Sequence, residues 1–364
     1  MTKNKPDISV ILTTYNCESR VAFTIESIIN QTFENIELII IDDHSKDMTF
    51  DICQSMKNIN HSKNIFVYQN DNNSGAAFSR NVGIHKAQGD YIIFLDDDDF
   101  YSPLMLELAY KKAIQNNADI VVVGSQSYDK QTNETHILDN IKIDSNLINC
   151  VFSYTDIKEN FFESFTWWAW DKLIHRQLIT DNNLLFQTIR SSNDLSFTCK
   201  AFFSAKRICI ERQIMVTHIV NRPTSLSSSR QLSYGCVLDA LNDIQLYMKE
   251  KGIYSYLKED FFYYCVNFIY WHQSTISPPI NTLLCQKSIE FFKNSNIMID
   301  SIKNPDIKIK YIYIFISAGY QKICELIEET NMEVDRSCSS ASQNLKSFLH
   351  MLIAIQQFIH KNTQ

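Results

Sequence analysis

Glycine and proline are scarce, with seven and six among 364 residues. None of the glycines falls into G-x-G-x-x-G or a P-loop, so the glycine-rich cradles of dehydrogenases and NTPases are excluded. H-E-x-x-H and G-x-S-x-G are missing too, which removes the zincin and α/β-hydrolase readings. The ten cysteines form no C-x-x-C pair. Cys17, Cys53, Cys150, Cys199 and Cys209 read as small buried hydrophobes and free thiols of a reducing cytoplasm. No apolar run approaches the ~18 residues of a membrane span, and Ile8 to Leu12 is too short for a signal peptide. A basic excess is lacking as well. With 34 basic against 41 acidic residues, net charge −7, nucleic acid is not expected as a partner.

What is present is a chain 45% hydrophobic and 12% aromatic, long enough for two domains at roughly 100–200 residues each. It is organised around Ile92 to Phe100, Ile-Ile-Phe-Leu-Asp-Asp-Asp-Asp-Phe. Four apolar residues fit a strand buried on both faces of a parallel sheet, and four carboxylates follow at its C-terminal end. Such a cluster repels itself unless a hard cation, Mg²⁺ or Mn²⁺, sits among the oxygens. A solvated acidic turn or a helix N-cap near Ser102-Pro103 is the alternative. Similar apolar runs occur at Ile8–Leu12 and Glu37–Ile41, and a weaker one at Ile65–Tyr68. Helical spacing follows each: Ser19–Gln31, from Met48, and Ala76–Lys86, with Leu104–Asn116 after the acidic cluster. Asp119–Gly124 adds another strand. This alternation predicts a doubly wound α/β sheet with one composite site along the carboxyl ends of its strands. Thr132 to Glu163 is irregular. After a serine-rich stretch the patterning turns helical, at Leu238–Lys249, Tyr256–His272, Leu283–Asn294 and Tyr311–Glu329. The expected domains are therefore 1–229 and a mainly helical 230–364, whose last segment, Cys338 to Gln364, opens with a Ser-rich linker.

Four segments in order, Ile8–Asn16, Ile40–Thr49, Ser74–Gly83 and Gly89–Asp99, resemble the family 2 glycosyltransferases with the GT-A fold. The likeness is closest over the first ~125 residues. It implies a GT-A mixed sheet flanked by helices, a UDP-linked donor, and transfer to a glycan or lipid-linked acceptor in surface-polysaccharide, lipopolysaccharide or capsule synthesis. Asp43 is expected at the uracil ring, with Thr13 and Tyr15 shaping the same pocket. Thr13 stands where the family often has proline, and His44 where it usually has glycine. Arg80 is expected either on donor phosphate or on acidic partners. The D-x-D falls on Asp96 and Asp98, with Mn²⁺ or Mg²⁺ on that pair and Asp97 at the variable middle position beside the donor. Asp99 is left between acceptor contact and helix cap. Trp167 to Arg176 resembles a family segment ending in Lys-Leu and a basic residue. Its Trp168 and Trp170 are placed either on the acceptor sugar or in the core. Asn193-Asp194 resembles the acidic dipeptide of inverting members, with asparagine in place of the usual glutamate, so the catalytic base falls on Asp194, whose other reading is a helix N-cap. His218 sits where some members have a third metal ligand, although a lone histidine also fits a structural role. Arg222 to Ser227 resembles the loop that closes over the diphosphate.

The enzyme reading is an inverting glycosyltransferase. A nucleotidyltransferase would be expected to carry a glycine- and lysine-rich phosphate loop, and an inactive sugar-nucleotide-binding scaffold would have lost metal ligands or base. The helical part, rich in Phe261, Phe262, Tyr263, Tyr264 and Trp271, is expected to serve as core, as a homo-oligomer interface, or as a peripheral contact with the inner membrane face.

Overall fold

The computed structural model describes residues 5–220, 226–294 and 302–318. Strands β1 (Ile8–Thr14) and β2 (Ile36–Asp42) are buried at every position, as expected of parallel strands covered by helices on both faces. The helices between them are α1 (Val21–Ile29) and, after β2, α2 (Thr49–Ile59). Next come β3 (Ile65–Gln69), α3 (Ala76–Lys86), β4 (Tyr91–Asp96), the two-residue β5 (Phe100–Tyr101) and α4 (Met105–Asn116). The chain continues through β6 (Ile120–Asp129), β7 (Glu134–Ile137), the single-turn α5 (Ser145–Ile148), β8 (Lys172–His175), α6 (Arg176–Asp181), α7 (Asn193–Ser204) and β9 (Ile208–Val220).

Among the described residues these strands form one nine-stranded mixed sheet, ordered β3-β2-β1-β4-β8-β6-β9-β5, with β7 on β6. β3, β2, β1 and β4 are all parallel. β8 then enters antiparallel to both β4 and β6. α3 lies against β1 because position 83 is glycine: a Cβ there would come within 2.4 Å of a buried Ile11 methyl. That close approach fixes where α3 places Arg80. Gly124 does similar work in β6, since a Cβ would meet the Arg212 carbonyl at 2.5 Å. Around it the β6/β9 register shifts, which brings His218 opposite Ser127.

The first compact unit comprises Met1–Ser229 and Asp239–Tyr256. The second comprises Arg230–Leu238 and Leu257–Gln364. Thus 239–256, most of α8 (Cys236–Glu250) with the start of α9 (Tyr254–Ser274), groups with the sheet. In the second unit α9, α10 (Ile280–Lys293) and α11 (Pro305–Ser317) share a ring-packed core in which Phe262, Phe292 and Tyr311 meet at 5.1–5.5 Å. α11 begins six residues before the expected Tyr311, because Asn304 accepts from the Asp306 and Ile307 N–H groups and Pro305 fits the first turn. The expected continuation to Glu329 and the segment from Cys338 lie outside the described residues. No helix among the described residues is long and apolar enough to cross a membrane.

Candidate active site

The site is built on the carboxyl ends of β1, β2 and β4. Thr13 is buried near the end of β1, and Tyr15, just beyond it, is 43% exposed. Asp43 follows β2 and is buried, with its carboxylate turned on the loop before α3. Oδ1 accepts from Asn70 Nδ2 at 2.8 Å, the Ser74 N–H at 3.0 Å and Ser79 Oγ at 3.2 Å, while Oδ2 accepts from the Gly75 N–H at 2.7 Å. Of roughly four lone-pair sites on a carboxylate, Asp43 keeps capacity for an outside donor only on Oδ2. Beside it His44 holds φ +61°, in the left-handed region that a glycine adopts more readily. Its Nδ1 lies 3.1 Å from the Asn70 carbonyl.

The four aspartates after β4 separate by direction. The Tyr101 hydroxyl pins their turn, accepting from the Asp96 N–H at 2.9 Å and donating to its carbonyl at 3.0 Å. Asp97 turns inward onto Arg20, with Nη2 at 3.1 and 3.3 Å from its two oxygens. Burial, and next the Asp98 charge, push its carboxyl up to about 6, against the pull of Arg20. Asp97 is thus occupied by the protein itself. Asp96, Asp98 and Asp99 bring one oxygen each to within 4.8 Å of one another. Asp99 is 2% exposed, accepts from the Ile219 N–H at 3.1 Å and lies 2.9 Å from His218 Nδ1. Its Oδ2 is buried with no hydrogen-bond partner. Burial raises the Asp99 carboxyl to about 6, although the His218 bond opposes this. For His218, burial lowers the imidazole, and the bond and charge of Asp99 outweigh it to leave a net rise. Three converging carboxylates, one with an orphaned buried oxygen, suit a hard divalent cation. Asp99, read from sequence as acceptor contact or cap, stands with Asp96 and Asp98. His218 stands behind Asp99, and Trp168 and Trp170 stack on one another at 4.8 Å and on the His218 ring at 5.9 and 5.6 Å.

Asp194 lies in the first turn of α7, not at its N-cap, which is Ser192. It reaches the acidic cluster through Arg80. Arg80 Nη1 donates to Asp194 Oδ1 at 2.5 Å and to Asn193 Oδ1 at 2.8 Å, while Nη2 donates to Asp96 Oδ1 at 2.7 Å. The guanidinium is buried and also lies 5.2 Å from the Phe186 ring centroid. Burial works against its charge, and Asp194 and Asp96 more than restore it. Of the two sequence alternatives for Arg80, acidic partners is the arrangement found. For Asp194 burial raises the carboxyl and Arg80 holds it down, for a net rise. The Ala169 N–H points at Asp194 Oδ2 from 3.4 Å. That loop is shaped by Lys172, which is fully buried with Asp171 at 2.5 Å and donates to the carbonyls of Thr166 and Trp168 at 2.8 Å.

Sequence reasoning did not single out Arg20 or Phe186, and it named Asn193 and Lys172 only as motif positions without a role. Lys172 carries a signal, because the Asp171-Lys172 pair is flanked on both sides by apolar residues, Trp167–Trp170 and Leu173-Ile174. The loop Arg222 to Ser227 falls almost wholly outside the described residues.

The model of the glycosyl transferase family 2 matches residues 9–186. A cholesterol galactosyltransferase of Borreliella burgdorferi is 29% identical over 280 residues, covering 73% of this chain and 75% of that protein. The uncharacterised glycosyltransferase EpsJ of Bacillus subtilis is 30% identical over 205 residues, 56% of this chain and 58% of its own length. S. aureus TarS 1–349, solved with UDP-GlcNAc, aligns with TM-score 0.52 at 17% identity over 84% of this chain and 90% of that one. The four motif segments, the mixed sheet with its acidic strand end, and these likenesses converge: residues 9–186 form a family 2 glycosyltransferase domain, on a GT-A fold.

Proposed function

We propose that the chain transfers a sugar, with inversion, from a UDP-linked donor to a hydroxyl of a glycan or lipid-linked acceptor at the inner face of the membrane, in surface-polysaccharide synthesis. The observation that carries the reading is the Arg80 bridge, which ties Asp194 to Asp96 and so to the cluster of Asp96, Asp98 and Asp99. The UDP-GlcNAc bound by TarS supports the donor class, and the name of the spirochaete galactosyltransferase supports a lipid alcohol among the acceptors.

Asp96, Asp98 and Asp99 would hold Mn²⁺ or Mg²⁺, which supplies charge neutralisation for a diphosphate leaving group. Thr13, Tyr15 and Asp43 border the place for the base of the nucleotide. Asp194 takes the acceptor hydroxyl proton as its oxygen bonds to the anomeric carbon, while the anomeric carbon–oxygen bond to the diphosphate breaks. Arg80 keeps Asp194 ionised and aimed, and burial keeps it basic enough to accept the proton. Trp168, half-buried, offers a ring face on the acceptor side, whereas Trp170, 3% exposed, belongs to the core that backs it.

Thermal shift with Mn²⁺ across UDP-, GDP- and dTDP-sugars tests the donor, because a bound donor stabilises the fold by mass action. A UDP-sugar is expected to give the largest rise. Asp98→Ala is expected to remove metal-dependent turnover. Asp194→Asn is expected to lower turnover by roughly 10²–10⁴-fold, the usual worth of a general base, with donor binding kept. Unchanged turnover in both variants sinks the assignment.

A further inference from the structure

A groove of about 680 Å³ opens on the first unit between the α6–α7 connection, α7 and α8. It lies within the range of roughly 300–1,000 Å³ typical of small-ligand sites. Its wall is fixed in place by Asn81, the neighbour of Arg80. Asn81 Nδ2 donates to the Phe186 carbonyl and its Oδ1 accepts from the Phe186 N–H, both at 2.8 Å. Phe186 in turn packs under the Arg80 guanidinium. The groove wall is therefore one side chain removed from the charge bridge, yet none of Asp96, Asp98, Asp99 or Asp194 lines it.

The lining chemistry selects a ligand class. Its acidic side chains are Asp181, Asp243 and Glu250 against Lys200 and Lys251; Lys200 pairs with Asp243 and Lys251 with Glu250, which leaves Asp181 as the excess acid. A diphosphate or other anion would meet net repulsion. Side-chain amides from Asn182, Asn183 and Gln187 add paired donors and acceptors. Asp243 takes both Lys200, at 2.5 Å, and Ser196 on Oδ2, and its Oδ1 makes no hydrogen bond among the described residues. The Tyr247 ring stands in the same wall, with its hydroxyl 2.8 Å from Ser204 Oγ and with Lys200 and Lys251 lying over the ring, 5.6 and 5.4 Å from its centroid. Carboxylates and amides beside the exposed Leu185 match the hydroxyl pairs and apolar faces of a sugar chain.

We propose that this groove is a second carbohydrate site, taking a neutral oligosaccharide stretch of the acceptor away from the reacting sugar. The inference rests on the glycosyltransferase reading, and the two fail separately. The full chain is titrated by saturation-transfer NMR with three neutral tetrasaccharides, a β-1,4-glucan, a β-1,4-N-acetylglucosamine oligomer and a β-1,3-galactan, and with tetragalacturonate as the anionic probe. At least one neutral tetrasaccharide is expected to bind. Thr188→Trp, which fills the groove from an exposed position, is expected to weaken it at least tenfold, and Glu250→Ala about threefold. Mn²⁺-dependent hydrolysis of UDP-glucose, UDP-galactose and UDP-GlcNAc, with water replacing the acceptor, is expected to be equal in wild type and both variants. Absence of neutral binding, binding untouched by either variant, or preference for tetragalacturonate overturns the groove proposal. Hydrolysis lost in Thr188→Trp overturns it as a site apart from the reaction centre. Wild-type protein that binds the tetrasaccharide and hydrolyses no UDP-sugar leaves the groove standing and counts against the donor assignment.

Discussion

The sheet unit and the helical unit bury different things. In the sheet unit the buried side chains nearest the site are charged and paired: Arg80 with Asp96 and Asp194, Arg20 with Asp97, and Lys172 with Asp171. In the helical unit the described core is rich in rings, with Phe262, Phe292 and Tyr311 in mutual contact and Phe315 against Tyr311, and its buried imidazole, His272, has an Nε2 without a hydrogen-bond partner among the described residues. Burying an ion pair is a poor way to gain stability, since desolvation consumes most of the attraction. A fold that does so three times around one strand end is spending stability on fixed charges. The ring-packed unit follows ordinary core energetics, in which area removed from water dominates.

The comparison breaks most sharply at Arg80. Arg80→Met leaves Asp96 and Asp194 facing each other without their shared cation. Turnover is expected to fall by about 10²-fold or more, and stability by about 3–5 kcal/mol, the usual cost of stranding a buried charge. The sign of the pH effect follows from Asp194. Arg80 does most to lower its carboxyl, ahead of the Ala169 N–H and Lys172, so removal raises it further, and the acid limb of kcat/KM, which needs the ionised base, moves to higher pH. A pH–rate profile with parallel urea unfolding measures both. An unmoved acid limb would detach Arg80 from the base and reduce it to a structural ion pair.

Lys172→Met sharpens the same contrast with a pair that has no solvent exposure at all. Stranding Asp171 is expected to cost about 3 kcal/mol, and adding Asp171→Leu to restore most of it, because a well-packed apolar pair often replaces a buried ion pair without loss. Equilibrium unfolding of the single and double variants checks this. A double variant no more stable than the single one would mean that Lys172 matters through its bonds to the Thr166 and Trp168 carbonyls, which shape the loop facing Asp194.

These pairings also explain what could be read in advance. β1, β2 and β4 are apolar runs with polar ends, a local signal, and α3 lies at Ala76–Lys86 as the spacing predicts. Motif spacing points to Asp96, Asp98 and Asp194. Of the partners that set their charge, Arg80 is expected on phosphate or on unspecified acidic groups and Arg20 is not singled out, because Arg20 lies 77 residues from Asp97 and Arg80 lies 114 from Asp194. Only the fold closes those distances. β8 was missed as well: four residues beginning with lysine and ending with histidine have no strand-like alternation, and tertiary burial between β4 and β6 overrides local pattern. Asp99 is legible as one of four clustered acids but not as the partner of His218, since its orientation depends on β9 arriving with Ile219 and His218.

The smallest effect belongs to the helical unit and is a test of its apolar character. Burial, followed by the charge of Arg230, lowers the His272 imidazole to about 4, whereas an unfolded histidine titrates near 6.5. Above pH ~6.5 His272 is neutral in both states and contributes no pH dependence. Between ~6.5 and about 4 the unfolded chain binds a proton that the folded one refuses, so stability falls as pH falls and levels off below the folded value. At ~1.4 kcal/mol per unit of pKa difference, the loss by pH 5 is about 2 kcal/mol. Urea unfolding at pH 7 and pH 5 should show this loss in the wild type and lose that contribution in His272→Leu, where the Phe268 and Trp271 rings that meet the imidazole edge-on pack against an aliphatic side chain instead. An equal pH dependence in the two proteins would mean that the helical unit admits the imidazolium, and that its core is no drier than the charge-lined interior of the sheet unit.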